Sequence, residues 1–456
     1  MIDHVCTRSL SGQRAGEDLP RPAGGGVDEN LPPETEAAQR SVELALIPAA
    51  GRRAVAVFLG RDDYEKQETV ATPVMANLLM ECLPAFVHDL AGHVVLITQF
   101  QEDVMLNATQ MIVTTGGIAR SIVVQGYVFM DLRGERVVVS VRREEEGPDV
   151  VSRLVVRSNR DAARFSRQWT VFAREHNYLR GQAFFADGKI IERNQAYSWD
   201  DIVLPEETRQ AVRLHVEGFL RNVTQLRALG VKARRGLILA GPPGTGKTLL
   251  GKVLADTLRC SFMWVTPRHI RPWRPTDFAH VLDVARFIAP SVLFLEDVDV
   301  FAEQRDMRGD ICLGELMNQL DGAVNNEEIL TIATTNRLEV IEKAIRNRPG
   351  RFDRVLHIGD MDDDCRRRLL ERILAKAEVS PEDMAHLVSV TKGYTGAQLE
   401  ELANTLYMFC LDKCAVASDD EDASPPAILI SRPVITAALE EFRVERKTGL
   451  GFTTTR

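Results

Sequence analysis

The stretch Arg235–Leu250, RGLILAGPPGTGKTLL, constrains this chain more tightly than any other. An apolar run, Leu237 to Ala240, enters a loop of glycines and prolines that opens directly onto a helix-forming segment. Gly241, Gly246, Lys247 and Thr248 fill the spacing GxxxxGK[ST], which marks a strand–loop–helix cradle for nucleotide phosphates. Small residues in the loop Gly241-Pro242-Pro243-Gly244-Thr245-Gly246 let backbone N–H groups turn inward around a β-phosphate. The helix starting Lys247-Thr248-Leu249 adds the partial positive charge of its N-terminus. The Lys247 ammonium can reach the β- and γ-phosphates of ATP, and the Thr248 hydroxyl can hold Mg²⁺.

The surrounding chain repeats the strand-then-helix rhythm. Helical pattern over Glu206–Leu229 leads to the loop strand. Ser261–Thr266 is followed by Phe278–Ile288, Ser291–Leu295 by Leu313–Leu320, and a further strand covers Ile329–Thr334. Such alternation predicts an α/β unit, residues 194–360, with a parallel sheet flanked by helices and ligands at the carboxyl ends of the strands. Residues 361–456 read as a helical lid, with helices over Asp364–Ala377, Pro381–Leu387, Ala397–Lys413 and Val434–Phe442, interrupted by an acidic loop at 418–426. Upstream, residues 41–193 form an α+β N-terminal domain. Its expected strands include Ala54–Leu59 and His93–Phe100, both read as buried, with a helix over Pro73–Leu90 between them. Strands Ile122–Met130, Arg136–Val141 and Arg153–Arg157 follow, then a helix over Arg160–His176 with a core of Ala163, Phe165, Trp169 and Phe172. Glu144-Glu145-Glu146 reads as a solvated loop, Asp187-Gly188 as a hairpin turn, and Asn194–Asp201 as the linker. Residues 1–40, rich in glycine, proline and acidic side chains, read as a disordered tail.

Downstream of the cradle, Ser291–Leu295 ends in Glu296-Asp297-Val298-Asp299. A buried strand ending in carboxylates is the second half of a nucleotide motor: one carboxylate secures Mg²⁺, mostly through water, and its neighbour polarises the attacking water. On these motifs, Tyr197–Phe452 resembles a single AAA ATPase module. Trp199-Asp200-Asp201-Ile202 resembles the segment that enters the module beside the adenine, which places Asp201 and Ile202 at the nucleotide. Thr331–Asn336 is similar to sensor 1, whose Asn336 orients the lytic water. Arg348-Pro349-Gly350-Arg351-Phe352-Asp353-Arg354 resembles the arginine-finger segment, and Leu320-Asp321-Gly322 the intersubunit signalling stretch. Gly393-Tyr394-Thr395-Gly396-Ala397 resembles the start of the lid helix, with Gly396 and Ala397 over the nucleotide.

The resemblance implies a homo-oligomer, a hexamer in most of the family. In it Arg348 and Arg351 of one subunit neutralise γ-phosphate charge in the next, worth roughly 10³–10⁵ in rate. Two features depart from the family pattern. The carboxylate pair runs Glu296-Asp297 rather than Asp-Glu, an order similar to that of the Rieske-protein translocase branch. This puts Glu296 on the Mg²⁺ side and Asp297 at the water, with slow turnover expected. The pore stretch His269–Pro275 offers Trp273 as its gripping aromatic, and an aromatic flanked by arginines is equally able to stack bases.

A formal charge of −9 argues mildly against a general nucleic-acid binder. The seven cysteines lack CxxC spacing, no apolar run approaches a membrane span, and no secretory signal is visible, so a cytoplasmic protein with reduced thiols is expected. No HExxH occurs, which excludes the AAA metalloproteases as a functional match. The ending Phe452–Arg456 lacks the tail that docks proteasomal ATPases. The expected function is a motor that remodels, unfolds or disassembles protein clients recognised by the N-terminal domain. Two alternatives stay open: a nucleic-acid-dependent loader or translocase, and an ATP-switched assembly chaperone.

Overall fold

In the computed structural model the described residues are 7–9, 49–61, 64–101, 104–115, 117–147, 149–192, 196–231, 233–270, 276–300, 327–345, 352, 354–359, 361–415 and 428–448. They divide into two compact units, Met1–Gln182 and Ala183–Arg456.

The first unit is an antiparallel sheet with helices. Its strands are β1 (Thr7–Ser9), β2 (Glu65–Ala71), β3 (His93–Gln101), β4 (Val104–Leu106), β5 (Thr109–Thr115), β6 (Ile118–Leu132), β7 (Glu135–Glu146) and β8 (Asp149–Ser158). The spatial order is β1-β2-β8-β7-β6-β3-β4, with β5 on the distal part of β6. Arg133 and Gly134, both at positive φ, close the β6–β7 hairpin, the conformation that matches strand twist in a two-residue turn. Helices α1 (Ala49–Leu59), α2 (Pro73–Asp89) and α3 (Ala162–His176) complete the unit. α1 lies over the face bearing Phe129 and Val138. The alternate residues Val128, Met130, Val137 and Val139 are equally buried, as strand periodicity places them on the opposite face. α2 and α3 pack on one another, with Phe86 edge-on to Phe165 at 5.3 Å and Trp169 Nε1 donating to Leu79 O at 3.0 Å.

α3 starts at a capping Asp161, whose Oδ1 accepts from the Arg164 N–H at 2.6 Å. Asp161→Ala is expected to cost about 1 kcal/mol, read as a lower denaturation midpoint of the transition reported by Trp169 fluorescence.

Four expectations are corrected in this unit. Ala54–Leu59 is the end of helix α1, not a strand: Gly51, Val55 and Leu59 are buried at helical spacing, while Val57 is 78% exposed. His93–Gln101 is a strand but not a buried one, because Val95, Leu96 and Ile97 all face solvent. The Glu144–Glu146 run continues β7, where Arg153 donates to Glu144 Oε2 at 3.0 Å and to Glu146 Oε1 at 3.1 Å. Within the segment 1–40, Thr7–Ser9 pair with β2, whose open edge offers unpaired backbone groups to any nearby extended segment; the rest of that segment lies outside the described residues.

The second unit carries the expected parallel sheet. Strands β9 (Ala183–Phe185), β10 (Arg235–Ala240), β11 (Ser261–Val265), β12 (Ser291–Leu295), β13 (Ile329–Thr335) and β14 (Arg354–His357) lie in the order β14-β10-β13-β12-β11-β9. All their pairings are parallel. β10 to β12 are near-continuous apolar runs, as strands covered on both faces are, and β13 is buried throughout although it carries Thr331, Thr334 and Thr335. Helices α4 (Glu206–Arg213) and α5 (Phe219–Ala228) are joined by a π turn, Leu214–Gly218, and α6 (Lys247–Thr257), α7 (Thr276–Phe287) and α8 (Leu338–Ile345) flank the sheet. Ala183–Phe185 corrects the boundary expected at 193/194. The Asp187-Gly188 turn does bring Phe184 against Ile190, but its first arm pairs in parallel with β11 and so belongs to this sheet. The supposed linker is also packed: Trp199 is buried in the core and donates to Glu217 Oε1 at 2.9 Å.

Helices α9 (Asp363–Ile373), α10 (Pro381–Val390), α11 (Gly396–Ala415) and α12 (Arg432–Thr448) enclose a core of their own, from Leu369 to Phe442. A short parallel pair, β15 (Glu378–Val379) and β16 (Leu429–Ile430), ties them together. Helix 313–320, the stretch 320–322, the acidic loop 418–426, Trp273, Arg348 and Arg351 lie outside the described residues.

Candidate nucleotide site

The loop after β10 turns over the N-terminus of α6. Gly246, at φ +96°, is the N-cap, and no side chain caps the helix, so its first-turn N–H groups are available to an anion. Lys247 is buried at 6% exposure and folds back on the loop, its Nζ donating to Gly241 O at 2.7 Å and Pro242 O at 2.8 Å. Burial lowers its pKa, against the charges of Asp297 and Asp299. A phosphate oxygen would take over the place of those carbonyls as the ammonium's partner.

The carboxylates come from the end of β12. Glu296 Oε1 accepts from Thr248 Oγ1 at 2.7 Å, and its Oε2 accepts from Trp264 Nε1 at 3.0 Å. Asp297 adopts φ +49°, an uncommon conformation for a residue with a side chain, held by its N–H donating to Thr334 Oγ1 at 2.9 Å. Burial, with the charges of Glu296 and Asp299, pushes its carboxyl pKa up; Lys247 opposes this. Asn336 Nδ2 reaches Asp297 Oδ1 at 3.4 Å, a long contact, while the Asn336 N–H donates to Asp299 Oδ1 at 3.2 Å. Asp299, buried, therefore holds the backbone of the residue that faces Asp297.

A cleft of about 490 Å³ is lined by Pro243 to Leu249, Asp297, Asn336, Ile202, Gly396 and Ala397; Glu296 is not on its wall and meets it through its bond to Thr248. That volume is within the range of small-molecule sites. Gly241 and Pro242 do not line the cleft; their carbonyls are engaged by Lys247. The Asp201 carboxylate turns away to Ser198, accepting from its N–H at 2.6 Å and its hydroxyl at 2.8 Å, and these bonds lower its pKa. Ile202 is thus the residue of that pair that lines the cleft.

Val203, Met361, Leu369, Arg372 and Glu400 also line the cleft and carried no motif. Leu369 was legible only as part of the buried stripe of α9, while Arg372 carries no periodic signal. Arg372 Nη1 donates to Asp200 O at 3.0 Å, and Arg368 Nη2, one turn earlier, to Leu204 O at 3.2 Å. Between these clamps, Ile202 and Leu204 enter the sheet core while Val203 packs against the lid core. At the other end of the cleft, the Ala397 N–H donates to Gly244 O at 3.1 Å. Helix α11 is therefore bonded to the loop after β10, and helix α9 to the strap formed by residues 200–204.

The Thr248 hydroxyl and Glu296 carboxylate are hard oxygen donors in contact at the helix N-terminus, a pair suited to Mg²⁺. Among the described residues no group of three or more His, Cys, Asp or Glu side chains could hold a metal alone. A cation here would complete its shell with phosphate oxygens and water.

A phosphate loop on a parallel sheet, paired carboxylates at the end of β12 and a helical lid define a P-loop ATPase domain of the AAA type. Residues 237–360 match the ATPase family associated with various cellular activities (AAA). The chain is similar to Protein SAV of Sulfolobus acidocaldarius, 33% identical over 223 residues, 47% of this chain and 28% of that protein. It is similar to the Cell division cycle protein 48 homolog of Archaeoglobus fulgidus, 30% identical over 248 residues, 52% of this chain and 34% of that one. It is also similar to the ATP-dependent zinc metalloprotease FtsH 1 of Methylacidiphilum infernorum, 31% identical over 228 residues, 47% of this chain and 35% of that one. The alignments cover about a third of each relative. An AAA domain supports ATP-hydrolysing activity, and use of ATP with Mg²⁺ is typical of such domains. No helix among the described residues is long and apolar enough to cross a membrane.

Proposed function

We propose that this chain is an ATP-hydrolysing motor that remodels protein clients as a homo-oligomeric ring, a hexamer, in the cytoplasm. The observation that carries the motor reading is the bond from the Ala397 N–H to Gly244 O. The lid thereby rests on the same loop whose N–H groups would take the phosphates, so a shift of that loop with nucleotide state is passed to the lid. Lys247 and the first turn of α6 bind the phosphates, Thr248 and Glu296 hold the Mg²⁺ side, and Asp297 with Asn336 orients and polarises the attacking water. Bound Mg²⁺ supplies neutralisation of phosphate charge. Arg348 and Arg351 act on the nucleotide of the neighbouring subunit.

Protein is favoured as the client on two grounds. The similar FtsH 1 is by name a protease. The N-terminal unit exposes Leu96, Ile97, Met105, Leu106, Ile112 and Ile118 on the two faces of strands β3 to β6, apolar side chains suited to unfolded polypeptide rather than to a phosphate backbone. Cys82, Cys260, Cys365 and Cys410 carry thiols rather than disulfides, which fits a reducing compartment.

The test is ATPase stimulation. An unfolded protein is expected to raise turnover several-fold while single-stranded DNA and RNA leave it unchanged, and Trp273→Ala should remove the stimulation. Stimulation by nucleic acid alone would assign the motor to the loader or translocase class. A chain that sediments as a monomer with ATP and Mg²⁺ would end the ring reading.

A further inference from the structure

We infer that Trp264 is a positioning residue for the divalent cation of the nucleotide: its indole N–H locks one oxygen of Glu296 so that the other stays with Thr248. This rests on the ATPase reading above.

A glutamate at the end of a strand has one more side-chain torsion than an aspartate, so a single contact leaves its carboxylate free to swing. Here both oxygens are held, Oε1 by Thr248 Oγ1 at 2.7 Å and Oε2 by Trp264 Nε1 at 3.0 Å. The two donors come from different elements, the first turn of α6 and the C-terminal part of β11. The β11–β12 register sets Trp264 against Phe294 and Val265 against Leu295. The Glu296 N–H continues this pairing by donating to Val265 O at 2.8 Å. Backbone and carboxylate of Glu296 are thus fixed to the same strand.

The indole is itself immobile. It is buried, at 5% exposure, and lies against the Phe294 ring with centroids 4.6 Å apart. Gly251 of α6 makes room for this pair, since a Cβ there would come within 2.9 Å of the indole and 2.5 Å of Phe294. A buried indole that only needed an acceptor could take any carbonyl. This one takes the carboxylate whose second oxygen meets the helix N-terminus. One face of the carboxylate is thereby committed, and one oxygen remains for the Thr248 hydroxyl and the water shell of a cation.

Trp264→Phe in the full chain removes the N–H and keeps an aromatic ring beside Phe294. Binding of a fluorescent ATP analogue is titrated against Mg²⁺ and, separately, in EDTA. The Mg²⁺ concentration for half-saturation is expected to rise about threefold to tenfold, the effect of one lost hydrogen bond of ordinary net strength. Affinity in EDTA should stay within about twofold, because the phosphate loop is untouched. In a Glu296→Asp background, where the shorter carboxylate no longer reaches the indole, the same substitution should add nothing. An unchanged Mg²⁺ requirement, or additive effects in the double variant, overturns the inference while leaving the ATPase reading in place. A wild-type chain that binds the analogue under neither condition sinks the ATPase reading and this inference with it. Should the phenylalanine variant not fold, 5-fluorotryptophan in the wild-type chain answers the question by ¹⁹F NMR. The Trp264 resonance, assigned by elimination with Trp169→Phe, Trp199→Phe and Trp273→Phe, should shift when Mg²⁺ is added to the nucleotide-loaded chain. A resonance that stays fixed overturns the inference.

Discussion

An Asp297→Asn chain is expected to bind ATP as the wild type does and to hydrolyse it about 10²–10⁴-fold more slowly, the usual contribution of a positioned general base. The substitution is informative because the backbone tolerates it. Asp297 sits at φ +49°, a region in which asparagine is as much at home as aspartate. Its N–H bond to Thr334 Oγ1 is a main-chain contact that the change does not touch. The amide oxygen can still accept from Asn336 Nδ2. What disappears is the negative charge, in a place where burial and the neighbouring Glu296 and Asp299 already make that charge costly. Removing it should therefore not destabilise the fold, and loss of turnover reports chemistry rather than unfolding. Single-turnover hydrolysis alongside equilibrium ATP binding makes the separation. Turnover within tenfold of wild type would remove Asp297 from the water, and weakened ATP binding would assign it to the nucleotide instead.

The parts of this site legible in the chain are those where chemistry demands residue types at fixed spacing. Lys247 and Thr248 must follow the glycine turn directly, because the helix N-terminus and the phosphate share one position. Glu296 and Asp297 must follow an apolar run, because the sheet interior ends where the cleft begins. The missing pieces depend on which segments meet in space. Val203, Arg372 and Glu400 reach the cleft from the strap and from two lid helices, and nothing in their local pattern distinguishes them from surface positions. Trp264 reads as an ordinary core aromatic until the parallel register sets it beside Glu296. The fold errors have similar causes. Ala54–Leu59 is an apolar run too short for its period to decide between strand and helix, and only burial at Gly51, Val55 and Leu59 settles it. Ala183–Phe185 has the turn chemistry of a hairpin, yet the open edge of β11 recruits it as a parallel strand.

Gly241→Ala is expected to abolish nucleotide binding, although alanine is the smallest change available. A Cβ at this position would lie 1.9 Å from Ile358 O and 2.8 Å from Ile358 C, both main-chain atoms. Neither side can yield cheaply. The Gly241 N–H donates to Thr335 O at 3.2 Å, so moving the glycine strains the junction with β13. The Ile358 N–H donates to Ala240 O at 2.8 Å and its side chain is buried in the sheet core, so moving Ile358 strains the junction with β14. The displacement is transmitted to the Gly241 and Pro242 carbonyls that seat Lys247, and a loop shifted by about 1 Å no longer presents its N–H groups to a phosphate. Overpacking of this kind costs about 1–3 kcal/mol or more, so a lower thermal midpoint should accompany the loss of binding. Gly359→Ala is the matched control, since a Cβ there meets nothing within 4 Å and its φ lies outside the left-handed region. It should leave stability within about 0.5 kcal/mol of wild type and nucleotide binding intact. Both variants are read by thermal unfolding with and without Mg²⁺-ATP, where ligand binding to the native state appears as a raised midpoint. A Gly241→Ala chain still stabilised by nucleotide would mean that the loop adapts, and that its contact with Ile358 does not set the phosphate cradle.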